Sequence, residues 1–172
     1  MTETQVPIPA RGDVGPPHGG ADERSTLVAF LGYLREAVAA KAEGIDFDRA
    51  RTPGVASGTN LLGLVKHLTA AETFWFVYAF EGADEPIPDF GMEVTEADDP
   101  EGLLAAYREA GRRSDAIVAA CPDLESLAAR TTHPSGIHRS LRWILVHMIE
   151  ETARHAGHAD ILREQADGAV GR

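Results

Sequence analysis

Apolar residues recur at the spacing of one helical face along four stretches of this chain. Leu27, Phe30, Leu31, Leu34 and Val38 mark the first, from about Ala21 to a stop at Gly44. Leu61, Leu64, Val65, Leu68 and Trp75 mark the second, from about Asn60 to Phe80, with Thr59 or Asn60 as N-cap. Leu104, Tyr107, Ile117 and Val118 support a third from Glu101 to Cys121, which Pro122 ends. The fourth, Leu141 to Glu164, places Leu141, Ile144, Leu145, Met148, Ala159 and Leu162 on one stripe at about 100° per residue.

The intervening segments carry the breakers. Ile45 to Asn60 holds Pro53, Gly54 and Gly58 and reads as a loop whose Ile45 and Phe47 fold back onto the core. Gly82 to Pro100 is a long exposed connection with three prolines and a run of acids. Asp123 to Arg139 is irregular, with a short turn of helix expected at Leu124 to Ala129. Residues 1–20, rich in Pro and Gly and without periodicity, read as a disordered tail, and residues 167–172 as a frayed end. No stretch alternates like a strand, and no segment repeats. The pattern predicts an all-α chain: a four-helix bundle over 21–167 behind the tail. The second connection, about 18 residues, can reach about 60 Å when extended. That is enough for the second and third helices to run parallel.

Composition narrows the function. At 172 residues and 18.4 kDa the chain is the size of one domain with a substantial core. A formal charge of -11 and a pI near 5.0 argue against nucleic acid or an anionic membrane as partner. Lys41 and Lys66 are the only lysines among 16 basic residues, a bias typical of high-GC bacterial genomes. The single cysteine, Cys121, forms no internal disulfide and fits a reducing cytoplasm. There is no 18-residue apolar run and no signal-peptide pattern, so a soluble cytoplasmic protein is expected.

Histidines and carboxylates on the second and fourth helices are the candidate chemistry: His67 and Glu72 on the former, His147, Glu151, His155 and His158 on the latter. Glu151 and His155 fall on the apolar stripe, one turn apart, where packing alone would ask for Leu or Ile. Burying such groups is costly unless they are compensated, and a divalent ion would compensate them. Two ligands from one helix leave the site incomplete, and His67 is the inward-capable histidine on another long helix. Three ligands leave a coordination position for water or substrate. An arginine paired with Glu151 would be the structural alternative. A lone His147 or His158 is more often packed or solvated than a ligand, Glu150 reads as a solvated face, and His133 and His138 sit in a loop. The order ExxxH is not the HExxH of zinc proteases, and no GxGxxG, P-loop or GxSxG occurs.

SLRWILVHMIEETARHAGHADILRE, with NLLGLVKHLTAAETFWF upstream, resembles the DinB-like superfamily of bacterial metal-binding four-helix bundles. More narrowly, it looks like the actinobacterial mini-circle-protein branch, related to mycothiol-dependent maleylpyruvate isomerase. The resemblance spans about Leu27 to Glu164 and rests on HLxxxE with ExxxHxGH. It implies an up-down-down-up bundle and a metal held by His67, Glu151 and His155, zinc foremost with nickel as alternative. Gly157 matches the small residue after the last ligand, and His158 stands where many members have Gln. The resemblance further implies a low-molecular-weight thiol, mycothiol, as co-substrate in S-transfer or isomerisation of a small electrophile. Glu72 or His147 would then orient a ligand, and His158 would move protons. The isomerase branch adds a C-terminal domain that walls the active site, and this sequence stops after the bundle. Isomerisation would thus need a wall from a homodimer partner, and a thiol S-transferase is the expected activity. A non-catalytic metal- or partner-binding bundle and a metal-dependent hydrolase are the alternatives.

Overall fold

The computed structural model describes residues 14–18 and 22–171; most of the expected tail, residues 1–20, lies outside them. Five helices follow one another among the described residues: α1 (Glu23–Ala42), α2 (Phe47–Arg51), α3 (Leu61–Glu72), α4 (Pro100–Ala120) and α5 (Leu141–Asp167). The expected all-α class holds. No helix among them is long and apolar enough to cross a membrane.

Each long helix begins where a polar side chain satisfies a free backbone N–H. Asp22 accepts from Ser25 N, Asn60 from Gly63 N, Asp99 from Gly102 N, and Ser140 from Trp143 N. Gly168, with φ of 79°, closes α5 after Asp167 in a left-handed turn. The last helix therefore runs three residues beyond Glu164, to Asp167, the first of the residues expected to fray.

Three local features depart from the periodicity reading. The Ile45–Asn60 loop contains α2, capped by Asp46 and held by buried Ala50; five residues are too few for a periodic signal. Ile45, just before it, and Phe47, its first residue, do pack on the core. Beyond Glu72 the second long helix continues as a π-helical segment, Thr73–Glu81. The wider turn advances the buried face, so Phe76 and Val77 are enclosed and Trp75, expected in the buried stripe, is only partly so. Finally, Leu124 to Ala129 forms no helix. A turn there leads into a single bridge between Leu127 and Ser140. That loop serves the π segment instead: the N–H groups of Ala129 and Arg130 donate to the carbonyls of Phe80 and Ala79, and Arg130 Nη1 donates to those of Tyr78 and Ala83. Carbonyls that a helix end would leave unpaired are thereby satisfied.

Polar contacts pin the helix ends to one another. Arg142, at the start of α5, pairs with Glu23 at the start of α1, and Arg163, near the end of α5, donates to the carbonyls of Lys41 and Glu43. Arg24 donates to the carbonyls of Val118 and Cys121 at the end of α4, and Arg108 of α4 pairs with Glu43. Leu61 and Leu64, at the start of α3, pack with Ala159 and Leu162 late in α5. Between these ends lies the core, with Leu62, Val65 and Leu68 against Val38 and Tyr107, and Leu31, Phe76 and Val118 against Ile144, Leu145 and Met148.

Candidate metal centre

The long connection after α3 doubles back over the first turns of that helix. Gly63 permits this, since a Cβ there would stand 2.5 Å from the carbonyl of Met92. The same approach brings the carbonyl of Phe90 over the second turn, 3.2 Å from His67 Nδ1. On the opposite side of the ring, His67 Nε2 lies 3.0 Å from Glu151 Oε1. The same oxygen is 3.1 Å from His155 Nε2, as the i, i+4 spacing allows. One candidate ligand atom from each of His67, Glu151 and His155 lies within 4.8 Å of the other two. All three are largely shielded, His155 most, at 8% exposure.

Hydrogen-bond bookkeeping shows that this cluster calls for a cation. A backbone carbonyl only accepts, so the proton of His67 belongs on Nδ1. A neutral ring then offers a bare lone pair at Nε2, facing a carboxylate oxygen. Two acceptors at that separation need positive charge between them, from a second ring proton or from a metal ion. An Nδ1–H held by a backbone carbonyl, with Nε2 presented to the ligand position, is also how metal-binding histidines are commonly oriented. At the other ring, His155 Nδ1 lies 3.4 Å from His158 Nδ1, so His158 can hold the proton of His155 on Nδ1 and free its Nε2. The donor set, two imidazoles and one carboxylate, fits a borderline ion such as zinc.

Electrostatics favour the binding-competent protonation states. Burial alone would raise the Glu151 carboxyl, but the hydrogen bond from His67 and the charge and hydrogen bond of His155 outweigh it and hold it below the usual carboxylate range. Burial depresses His155, and the neighbouring His67 and His158 add to that; the opposing pull of Glu151 does not restore it. The carboxylate thus stays ionised and the imidazole of His155 neutral near neutral pH.

The other candidates lie elsewhere. Both oxygens of Glu72 are occupied by Arg35, at 2.7 and 2.8 Å, with no exposed surface. His147 stacks on Trp143, with ring centroids 5.0 Å apart, meets Trp75 edge-on at 4.9 Å, and comes within 3.8 Å of Glu150. His133 and His138 are exposed loop residues. Sequence reasoning missed the carbonyl of Phe90, which no residue type could have announced. It also missed the Trp75–Trp143–His147 ring cluster, for which the i, i+4 spacing of Trp143 and His147 was an available signal.

Fold and cluster together define an all-α protein with a possible metal-binding triad shared between two helices. The sequence profile of the mycothiol-S-transferase family matches residues 26–168, from the first turn of α1 to the glycine that caps α5. The chain belongs to that family, within the DinB-like superfamily. Comparison with curated proteins gives no significant match.

Proposed function

We propose that this protein is a mycothiol-dependent S-transferase acting on a small electrophile, with a divalent metal, zinc foremost and nickel second, held by His67, Glu151 and His155. The observation that carries the reading is the placement of His67 Nε2 3.0 Å from Glu151 Oε1, with its Nδ1 on the Phe90 carbonyl and His155 Nε2 on the same carboxylate oxygen. Family membership supports the thiol. When bound, the divalent ion supplies the positive charge that favours thiolate over thiol at neutral pH. Glu151 offsets one of its two charges, which leaves one to act on the thiol. His67 and His155 would each give the ion an Nε2 lone pair, with their Nδ1 atoms oriented by the Phe90 carbonyl and by His158. The thiol proton passes to solvent; the sulfur forms a bond to the carbon of the electrophile, whose leaving group departs with the electron pair of the broken bond.

The bundle of residues 21–167 belongs to the same reading, with helices ordered up-down-down-up. The contacts of α1 with the matching ends of α5 and the opposite ends of α4 support that order, as do those between the start of α3 and the end of α5. A cytoplasmic homodimer completes the proposal, and light scattering tests the dimer.

The deciding experiment follows consumption of a small alkyl halide by the zinc-loaded protein, with mycothiol present or omitted. An S-conjugate formed only with thiol and metal together is the expected result. Equal turnover without thiol would replace the reading with a metal-dependent hydrolase, and no turnover with any thiol would leave a binding bundle.

A further inference from the structure

The two flanks of the triad along α5 differ. Toward the start of the helix the groove is filled ring against ring: Phe90 meets Phe74 at 5.4 Å, Phe74 meets Trp75 at 5.2 Å, and Trp75 meets His147. Trp143 stacks on His147, and the guanidinium of Arg139 lies 4.4 Å over the Trp143 ring. Toward the end of the helix, one turn past His155, His158 forms part of the wall of a cavity of about 320 Å³, completed by Val55, Ser57, Thr59, Ile161 and Leu162.

The lining of this cavity contains no Asp, Glu, Lys or Arg. Its polar groups other than His158 include two hydroxyls that bond each other, Ser57 Oγ and Thr59 Oγ1 at 3.2 Å. Val55 and Ile161 stand 46% and 56% exposed on facing elements, the loop before α3 and α5. Two β-branched apolar side chains in water lose burial that a ligand would restore. The volume is at the low end for small-molecule sites, about 300 Å³ upward. It suits a benzyl or short alkyl group rather than a whole thiol cofactor. His158 is the link: one edge borders the cavity, and its Nδ1 contacts His155.

Resting on the transferase reading, we propose that this cavity receives the uncharged apolar portion of the electrophile, with Ile161 and Val55 as the residues that set substrate preference. A molecule seated there would lie within about one to two helical turns of the triad, at 5.4 Å per turn. Its reactive carbon would project past His158 toward the thiolate, and its apolar end would cover Ile161.

The test has two arms. In the first, an unreactive benzyl ether is titrated into the full-length zinc-loaded protein and methyl resonances are followed. Shifts at Val55, Ile161 and Leu162, weakened at least about tenfold in Ile161→Arg and likewise in Val55→Arg, are expected. Both positions are exposed enough to accept arginine without unfolding the protein. No shifts, or shifts confined to the Trp143–His147 side, overturn the proposal whatever the activity. In the second arm, kcat/KM with mycothiol is compared for benzyl and methyl halides. The wild-type preference for benzyl should fall about tenfold in either variant, and an unchanged preference overturns the proposal while leaving the transferase intact. A wild type that binds the ether at these residues yet turns over neither halide with thiol refutes the transferase reading and the substrate role with it.

Discussion

Two glutamates face inward from the helices of this protein, one fully and one largely shielded from water, and they meet different fates. Glu72 gives both oxygens to the guanidinium of Arg35, whose remaining nitrogen Nη1 reaches Asp115 at 2.7 Å. Burial would lower the proton affinity of Arg35, yet the two carboxylates more than restore it and raise its pKa above the ordinary arginine value. Each guanidinium nitrogen of Arg35 has a carboxylate acceptor, and a guanidinium has no lone pair to lend a metal. Glu151, one helix away, has two imidazoles on a single oxygen, and imidazole nitrogens accept or donate according to where the proton sits. Burial alone does not separate a structural acid from a functional one. The decisive property is whether the partner can turn a lone pair toward a shared ion.

The sharpest way to break this contrast is to remove one triad member at a time. Glu151→Gln or His155→Ala should take bound metal from about one equivalent to nearly none, whereas Glu72→Gln should keep it. Elemental analysis of untagged protein reads this directly, and equal metal in parent and His155→Ala would sink the assignment. Next in size is Arg35→Ala, which strands Glu72 without its cation. We expect a loss of about 3–5 kcal/mol in urea unfolding, with metal content unaltered at native pH. A change within error would mean the pair is not what holds α1 to α3.

Smaller effects sharpen the picture. Thr152 follows Glu151 but is fully buried, and its hydroxyl has no hydrogen-bond partner. Replacing Thr152 by Val removes that unsatisfied group and should stabilise the fold by about 1 kcal/mol, read as a higher Tm. A lower Tm would show that the hydroxyl has a partner in solution. The smallest effect concerns pH in the metal-free protein. His155 and Glu151 both have depressed values in the folded state, so each contributes stability above its ordinary pKa and loses it as pH falls. The decline should begin below the usual histidine value of 6.5 and deepen below the usual glutamate value of 4.5. Urea midpoints across that range, compared with His155→Gln, check the first step, which the variant should lack.

Much of this molecule was legible in the order of its residues. Helical periodicity depends on neighbours three and four positions apart, so the long helices, the caps at Asn60 and the all-α class could be read locally. The one-turn separation of Glu151 and His155 on a single face follows from the same geometry. Contacts distant in sequence were another matter. That Arg35 rather than a histidine would claim Glu72, 37 residues away, depends on how α1 and α3 pack. That the Phe90 carbonyl would fix the tautomer of His67 depends on a loop that Gly63 lets pass close by. The π segment, which redirects Trp75 and encloses Phe76, was silent because its nearly unbroken apolar run carries no periodicity that separates an i+5 hydrogen-bond step from an i+4 one. Outside that segment, sequence alone determined which side chains the long helices would carry on which face. Tertiary structure decided which of them meet, because those encounters depend on the packing of whole helices and no short window of residues contains it.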